Sequence, residues 1–175
     1  MMRGCTSRGV LTIPEMDFVK PSLMTAPTFV FPAPFLPGTY GEDVVRDVAE
    51  FTAAFAAQSA TLKDFVMMNE SSVCGNTRTD RKKIALPKDQ ALLWQNPPTN
   101  FLSPWGVGPC EVWLDDTRVL YLPNCKGNNS KAGGWYIQVD WTSCVDECTM
   151  AFYFVEIHWP QWRAYKNCAR LFRPA

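Results

Sequence analysis

Met150-Ala151-Phe152-Tyr153-Phe154-Val155-Glu156-Ile157-His158 is the stretch on which the fold turns. It is apolar at nearly every position until Glu156. Aromatic and β-branched side chains of this kind suit a pleated, packed surface, so it reads as the strongest strand of the chain. Working outward, Trp162 to Cys168 makes a last strand, and Trp135-Tyr136-Ile137-Gln138-Val139-Asp140-Trp141 makes another. Glu111-Val112-Trp113-Leu114 and Arg118-Val119-Leu120-Tyr121-Leu122 flank Asp115-Asp116-Thr117 and read as a hairpin. Several short strands with turn residues between them, and cysteines among them, describe a mainly β chain folded as a disulfide-stapled β-sandwich.

Further upstream the texture changes. Thr39-Tyr40-Gly41-Glu42 has the spacing of a capping box, and Val44, Val48, Phe51 and Phe55 then form one apolar stripe. Thr61-Leu62-Lys63-Asp64 starts a second, shorter helix ending near Met68. These one or two helices form an N-terminal insertion that covers a core. Before them, residues 9–38 hold six of the 14 prolines, interleaved with Phe18, Phe29, Phe31 and Phe35. Proline at that density forbids a helix or central strand, so an extended segment laid across the domain with its rings inward is expected. A short strand at Val10 to Ile13 begins it.

The 175 residues suit one domain spanning 1–175, with 1–7 expected to be disordered. Lys+Arg is 17 and Asp+Glu is 17, a balance that argues against a nucleic-acid partner or a polybasic membrane-surface role. No window approaches the roughly 18 apolar residues of a membrane helix. Arg78, Arg81, Lys82, Lys83 and Lys88 form a basic run, by default a solvated loop and alternatively a patch for an acidic polymer. Trp105, Trp113, Trp135, Trp141, Trp159 and Trp162 are an aromatic excess, of which at most two are expected to be surface platforms for sugar rings.

Cys5 stands apart from Cys74, Cys110, Cys125, Cys144, Cys148 and Cys168. Zinc would want C-x2-C pairs and more histidine than His158, so three disulfides are expected, in any of 15 connectivities. Asn69-Glu70-Ser71 and Asn128-Asn129-Ser130 are sequons and agree with a secretory route. Met1 to Ser7 lack the apolar core of a leader, so a longer precursor or a lost leader is expected. With one histidine and no Gly-x-Ser-x-Gly elbow, a nucleophilic triad is improbable. Asp115/Asp116 and Asp146/Glu147 are paired carboxylates, but in turns.

Four markers, in order, carry a family resemblance. They are Gly9-Val10-Leu11-Thr12-Ile13-Pro14-Glu15, Cys74-Gly75-Asn76-Thr77, Gly108-Pro109-Cys110-Glu111-Val112-Trp113-Leu114-Asp115-Asp116, and Phe152-Tyr153-Phe154 through Ile157-His158 to Trp162-Arg163-Ala164-Tyr165-Lys166-Asn167-Cys168. Over about residues 8 to 168 the chain resembles the secreted lytic polysaccharide monooxygenases of oomycetes that cleave pectin oxidatively. The resemblance implies an immunoglobulin-like β-sandwich with one copper ion on a flat face, held by an N-terminal histidine and a second histidine, with a tyrosine on the axial side. It places His158, Tyr165 and Arg163 at the reacting centre, with Tyr165 at the axial metal position and Arg163 where the family has glutamine.

The two brace positions fall on Arg8 and Gly106. Arginine keeps its proton and glycine has no side chain, so neither can donate to copper. The expectation is therefore an extracellular, monomeric, monooxygenase-like protein that binds acidic, pectin-like polysaccharide and holds no tightly bound copper. Its alternatives are a working copper enzyme and a non-catalytic secreted effector.

Overall fold

The computed structural model describes residues 9–58, 60–95, 106–131 and 133–175. Its strands are β1 (Val10–Ile13), β2 (Phe29–Val30), β3 (Lys83–Ala85), β4 (Ala91–Gln95), β5 (Cys110–Leu114), β6 (Thr117–Leu122), β7 (Ser130–Lys131), β8 (Gly134–Gln138), β9 (Glu147–Glu156) and β10 (Arg163–Phe172). Helices α1 (Val44–Ala56) and α2 (Leu62–Met67) lie between β2 and β3. One sheet has the order β1-β4-β8-β7, the other β2-β10-β9-β5-β6 with β3 parallel to β10. This is the expected β-sandwich with two helices in its N-terminal half.

β9 explains why its sequence is apolar almost throughout. Met150, Phe152 and Phe154 point into the core between the sheets, with Trp94, Trp135 and Ile137 of the opposite sheet. Tyr153, Val155 and Ile157 point the other way, into a second core made with Phe51, Phe55, Leu62, Phe65 and Trp162. A six-stranded sheet covered on both faces needs apolar residues at both parities, whereas a half-solvated one would alternate. The hairpin β5–β6 turns at Asp115-Asp116, where Asp115 takes φ +51, the left-handed conformation such tight turns use.

Polar joints fasten the helices to the outer sheet face. Glu111 is fully buried, and its two oxygens accept from Leu62 N, Lys63 N, Trp113 Nε1 and Arg118 Nη1. A carboxylate at the start of α2 satisfies amides that have no partner within the helix. Lys166 is also buried, with Nζ donating to Ser72 O beside Met67 Sδ and lying over the Tyr153 ring. Burial pushes the Tyr153 hydroxyl up to about 12, so the ring stays neutral beneath the amine.

The six cysteines pair as Cys74–Cys168, Cys110–Cys125 and Cys144–Cys148. Cys5, Arg8, Trp105 and the segment 1–7 lie outside the described residues.

Several expectations are corrected. The cap of α1 is Asp43, whose Oδ1 accepts from Arg46 N at 2.7 Å, not Thr39; Gly41 at φ +98 breaks the path to a box there. Thr61 and Asp64 do form a capping box on α2. Phe31 is buried as expected, but Phe35 is 54% exposed, its ring lying against Phe31 and Phe65 at the surface. β4, a central strand with four buried residues, was not foreseen.

Candidate functional site

The connection between β9 and β10 runs over residues 157–162. Ile157 N donates to Val107 O at 2.9 Å, and Phe31 N to Trp162 O at 2.8 Å. Trp162 is buried against Tyr40 (4.8 Å) and Phe51 (5.4 Å). With both ends anchored in the outer core, His158, Trp159, Pro160 and Gln161 are held at the surface.

Beneath them lie two fully buried carboxylates. Asp47 Oδ2 accepts from Gly41 N at 3.0 Å and meets His158 Nδ1 at 2.7 Å. That bond makes Nδ1 the donor and leaves Nε2 as the outward nitrogen of a ring 23% exposed. Glu156 Oε1 accepts from Trp159 Nε1 at 2.8 Å, and its Oε2 lies 3.5 Å from Arg163 Nη1. Trp159 also packs edge-on to His158 at 5.6 Å. Burial pushes the Glu156 carboxyl above its ordinary value, while Trp159, Arg163 and His158 pull it partly back. The result is a half-exposed aromatic ring, an imidazole and a guanidinium on one edge, each braced from below by a buried acid.

Tyr165 is elsewhere. It is buried in the inner core, stacked on Phe154 at 5.6 Å and edge-on to Trp94 at 5.3 Å. Of the three residues that the resemblance groups, His158 is bonded to Asp47 of α1 while Tyr165 lies among Phe154 and Trp94. The ladder ends at Glu156 opposite Arg163, the connection is six residues long, and His158 turns to α1. Arg163 and Tyr165, two apart on β10, share the inner parity.

Gly9 and Val107 are the described neighbours of the two positions that the resemblance assigns to the brace. Gly9 packs on the Trp94 indole, where a Cβ would lie 1.8 Å from Nε1, so only glycine fits. Buried Gly106 precedes Val107, the residue bonded to Ile157. The donor set does not fit a copper brace, because the brace takes two imidazoles and the chain has one histidine.

Asp47 and Glu156 were missed as site residues. The signal for Asp47 was a charge on the apolar stripe, four residues before Phe51; for Glu156 it was the single charge interrupting an apolar strand. Three of the five residues of the basic run are paired at the surface: Arg78 meets Asp80, Lys82 meets Glu15, and Lys83 meets Glu147. A hollow of about 350 Å³ between Leu86, Lys88, Asp140, Trp141 and Arg173 lies at the far end and shares no residue with this edge. No family model matches the chain, and no curated protein matches it.

Proposed function

We propose that the chain is a secreted protein that binds acidic, pectin-like polysaccharide through the edge formed by Trp159, His158 and Arg163, on a monooxygenase-like scaffold without a tight copper centre. The observation that supports this reading is Trp159: its ring is half-exposed, and its Nε1 is tied to buried Glu156. A ring fixed in orientation before the ligand arrives offers a stacking face to a sugar at little entropic cost. Arg163 beside it offers a planar fork suited to a sugar carboxylate. The three disulfides agree with an oxidising compartment.

Affinity electrophoresis through gels containing polygalacturonate, pectin or a neutral glucan tests the reading. Retardation is expected in the acidic gels. Trp159→Ala should weaken it about tenfold, the equivalent of one lost aromatic contact of about 1.4 kcal/mol. Absence of retardation by every polymer sinks the reading. So does sub-micromolar copper binding with a type-2 electron paramagnetic resonance signal, which would favour the oxidative enzyme.

A further inference from the structure

The Glu156–Arg163 pair is left open. Glu156 Oε2 is buried and accepts no hydrogen bond, and Arg163 Nη1, 3.5 Å away, donates none. An ionised guanidinium–carboxylate pair free to close settles near 2.8 Å, often with two bonds. Glu156 is held on its other side by Trp159 Nε1 at 2.8 Å, and the two residues stand opposite each other in the β9–β10 ladder, which leaves the pair at this longer separation. Arg163 meanwhile keeps 21% of its side chain exposed. Its Nη1 is buried against the acid, while part of the side chain reaches solvent.

The state of that acid decides what Arg163 presents. With Glu156 ionised, the guanidinium is compensated from below. With Glu156 protonated, it is an uncompensated cation at the surface, next to the Trp159 ring. Resting on the polysaccharide-binding reading above, we propose that Arg163 is a uronate contact gated by a proton on Glu156. A sugar carboxylate takes over as counter-ion of the guanidinium while one proton passes from solvent to Glu156, and no covalent bond is made or broken. The charged groups facing Glu156 are Arg163 from β10 and His158 from the connection, with Asp47 of α1 behind the imidazole. The raised affinity of Glu156 for a proton, caused by burial, places the gate above the ordinary carboxyl range.

Calorimetric titration of the whole chain with an oligogalacturonate, and with its methyl ester as the uncharged control, tests this from about pH 7 to about pH 4.5, a range in which the sugar acid stays largely ionised. Oligogalacturonate affinity should rise as pH falls, by up to about tenfold per pH unit for one linked proton, while affinity for the ester stays flat. Glu156→Gln should bind oligogalacturonate tightly at both ends of the range with no slope. Arg163→Gln should bind it no better than the ester, so the gate is still readable if Glu156→Gln does not fold. Oligogalacturonate binding without a slope, or a slope that survives in Glu156→Gln, overturns the gate and leaves polysaccharide binding standing. Failure of both sugars to bind overturns the gate and that reading together.

Discussion

The two faces of the six-stranded sheet are packed by different means. The inner face meets the other sheet mainly through apolar side chains, with Trp94, Trp135, Phe152, Phe154 and Tyr165 interlocked edge and face, and buried Glu156 stands on the same parity only at the rim, where β9 gives way to the connection. The outer face also carries aromatics, but buried Glu111 and Lys166 stand among them, and buried Asp47 faces them from α1. Two sheets satisfy their backbones within their own ladders, so the layer between them needs no polar groups. Helix ends present unpaired amides, and docking them on a sheet calls for acceptors there. Buried charges in this molecule therefore gather where helices or loops meet the sheet.

The largest expected effect comes from cutting the staple between the helix layer and β10. Cys74–Cys168 closes a loop of 94 residues, and replacing both cysteines by alanine should cost about 4–5 kcal/mol in denaturant unfolding under the loop-entropy estimate. Hydrogen exchange should quicken in α1 and α2 before β4 and β8. Simultaneous loosening of both sheets would contradict the distinction between the faces.

Next comes Glu111. Glu111→Ala leaves two amides of α2, the Trp113 indole and Arg118 without their acceptor, and about 3–5 kcal/mol should be lost. Glu111→Gln retains one oxygen and should lose about 1–3 kcal/mol. Exchange at the amides of Leu62 and Lys63 is the local readout. An alanine variant as stable as the parent would mean that apolar packing suffices to hold the outer face.

The smallest effect sharpens the comparison through pH. Burial lowers the Lys166 amine below its ordinary 10.5, so the unfolded chain binds one more proton between the folded value and 10.5. Stability should rise with pH across that window and lose the slope below it. Lys166→Met should remove this rise and change stability near neutrality by no more than about 1 kcal/mol in either direction, since the thioether fills similar volume without a charge to bury. A rise that persists in Lys166→Met would assign it to another group.

Elements whose cause is local were legible in the chain. α2 announces itself by Thr61 and Asp64, the β5–β6 hairpin by Asp115-Asp116, and β1 by a short apolar run ahead of Pro14. β4 was not, because Ala91-Leu92-Leu93-Trp94 is a short apolar run without alternation, and it becomes a strand by lying between β1 and β8. Asp43 displaced Thr39 as the cap of α1 through a backbone reversal at Gly41 that spacing does not encode.

The candidate site divides along the same line. His158 and Arg163 were readable as chemistry-bearing residues near one another in sequence. Their partners were not, since Asp47 lies 111 positions from His158, and only the docking of α1 beside the β9–β10 connection joins them. By itself the sequence determined that the chain is mainly β, that one or two helices precede most of the strands, and that six cysteines pair. Those follow from patterns within about ten residues and from counting. Which cysteines pair, which side of β9 meets the helices, and which acid sits under which base were decided by tertiary structure alone. Each depends on groups brought together by sheet order and packing, and the chain between them carries no record of that distance.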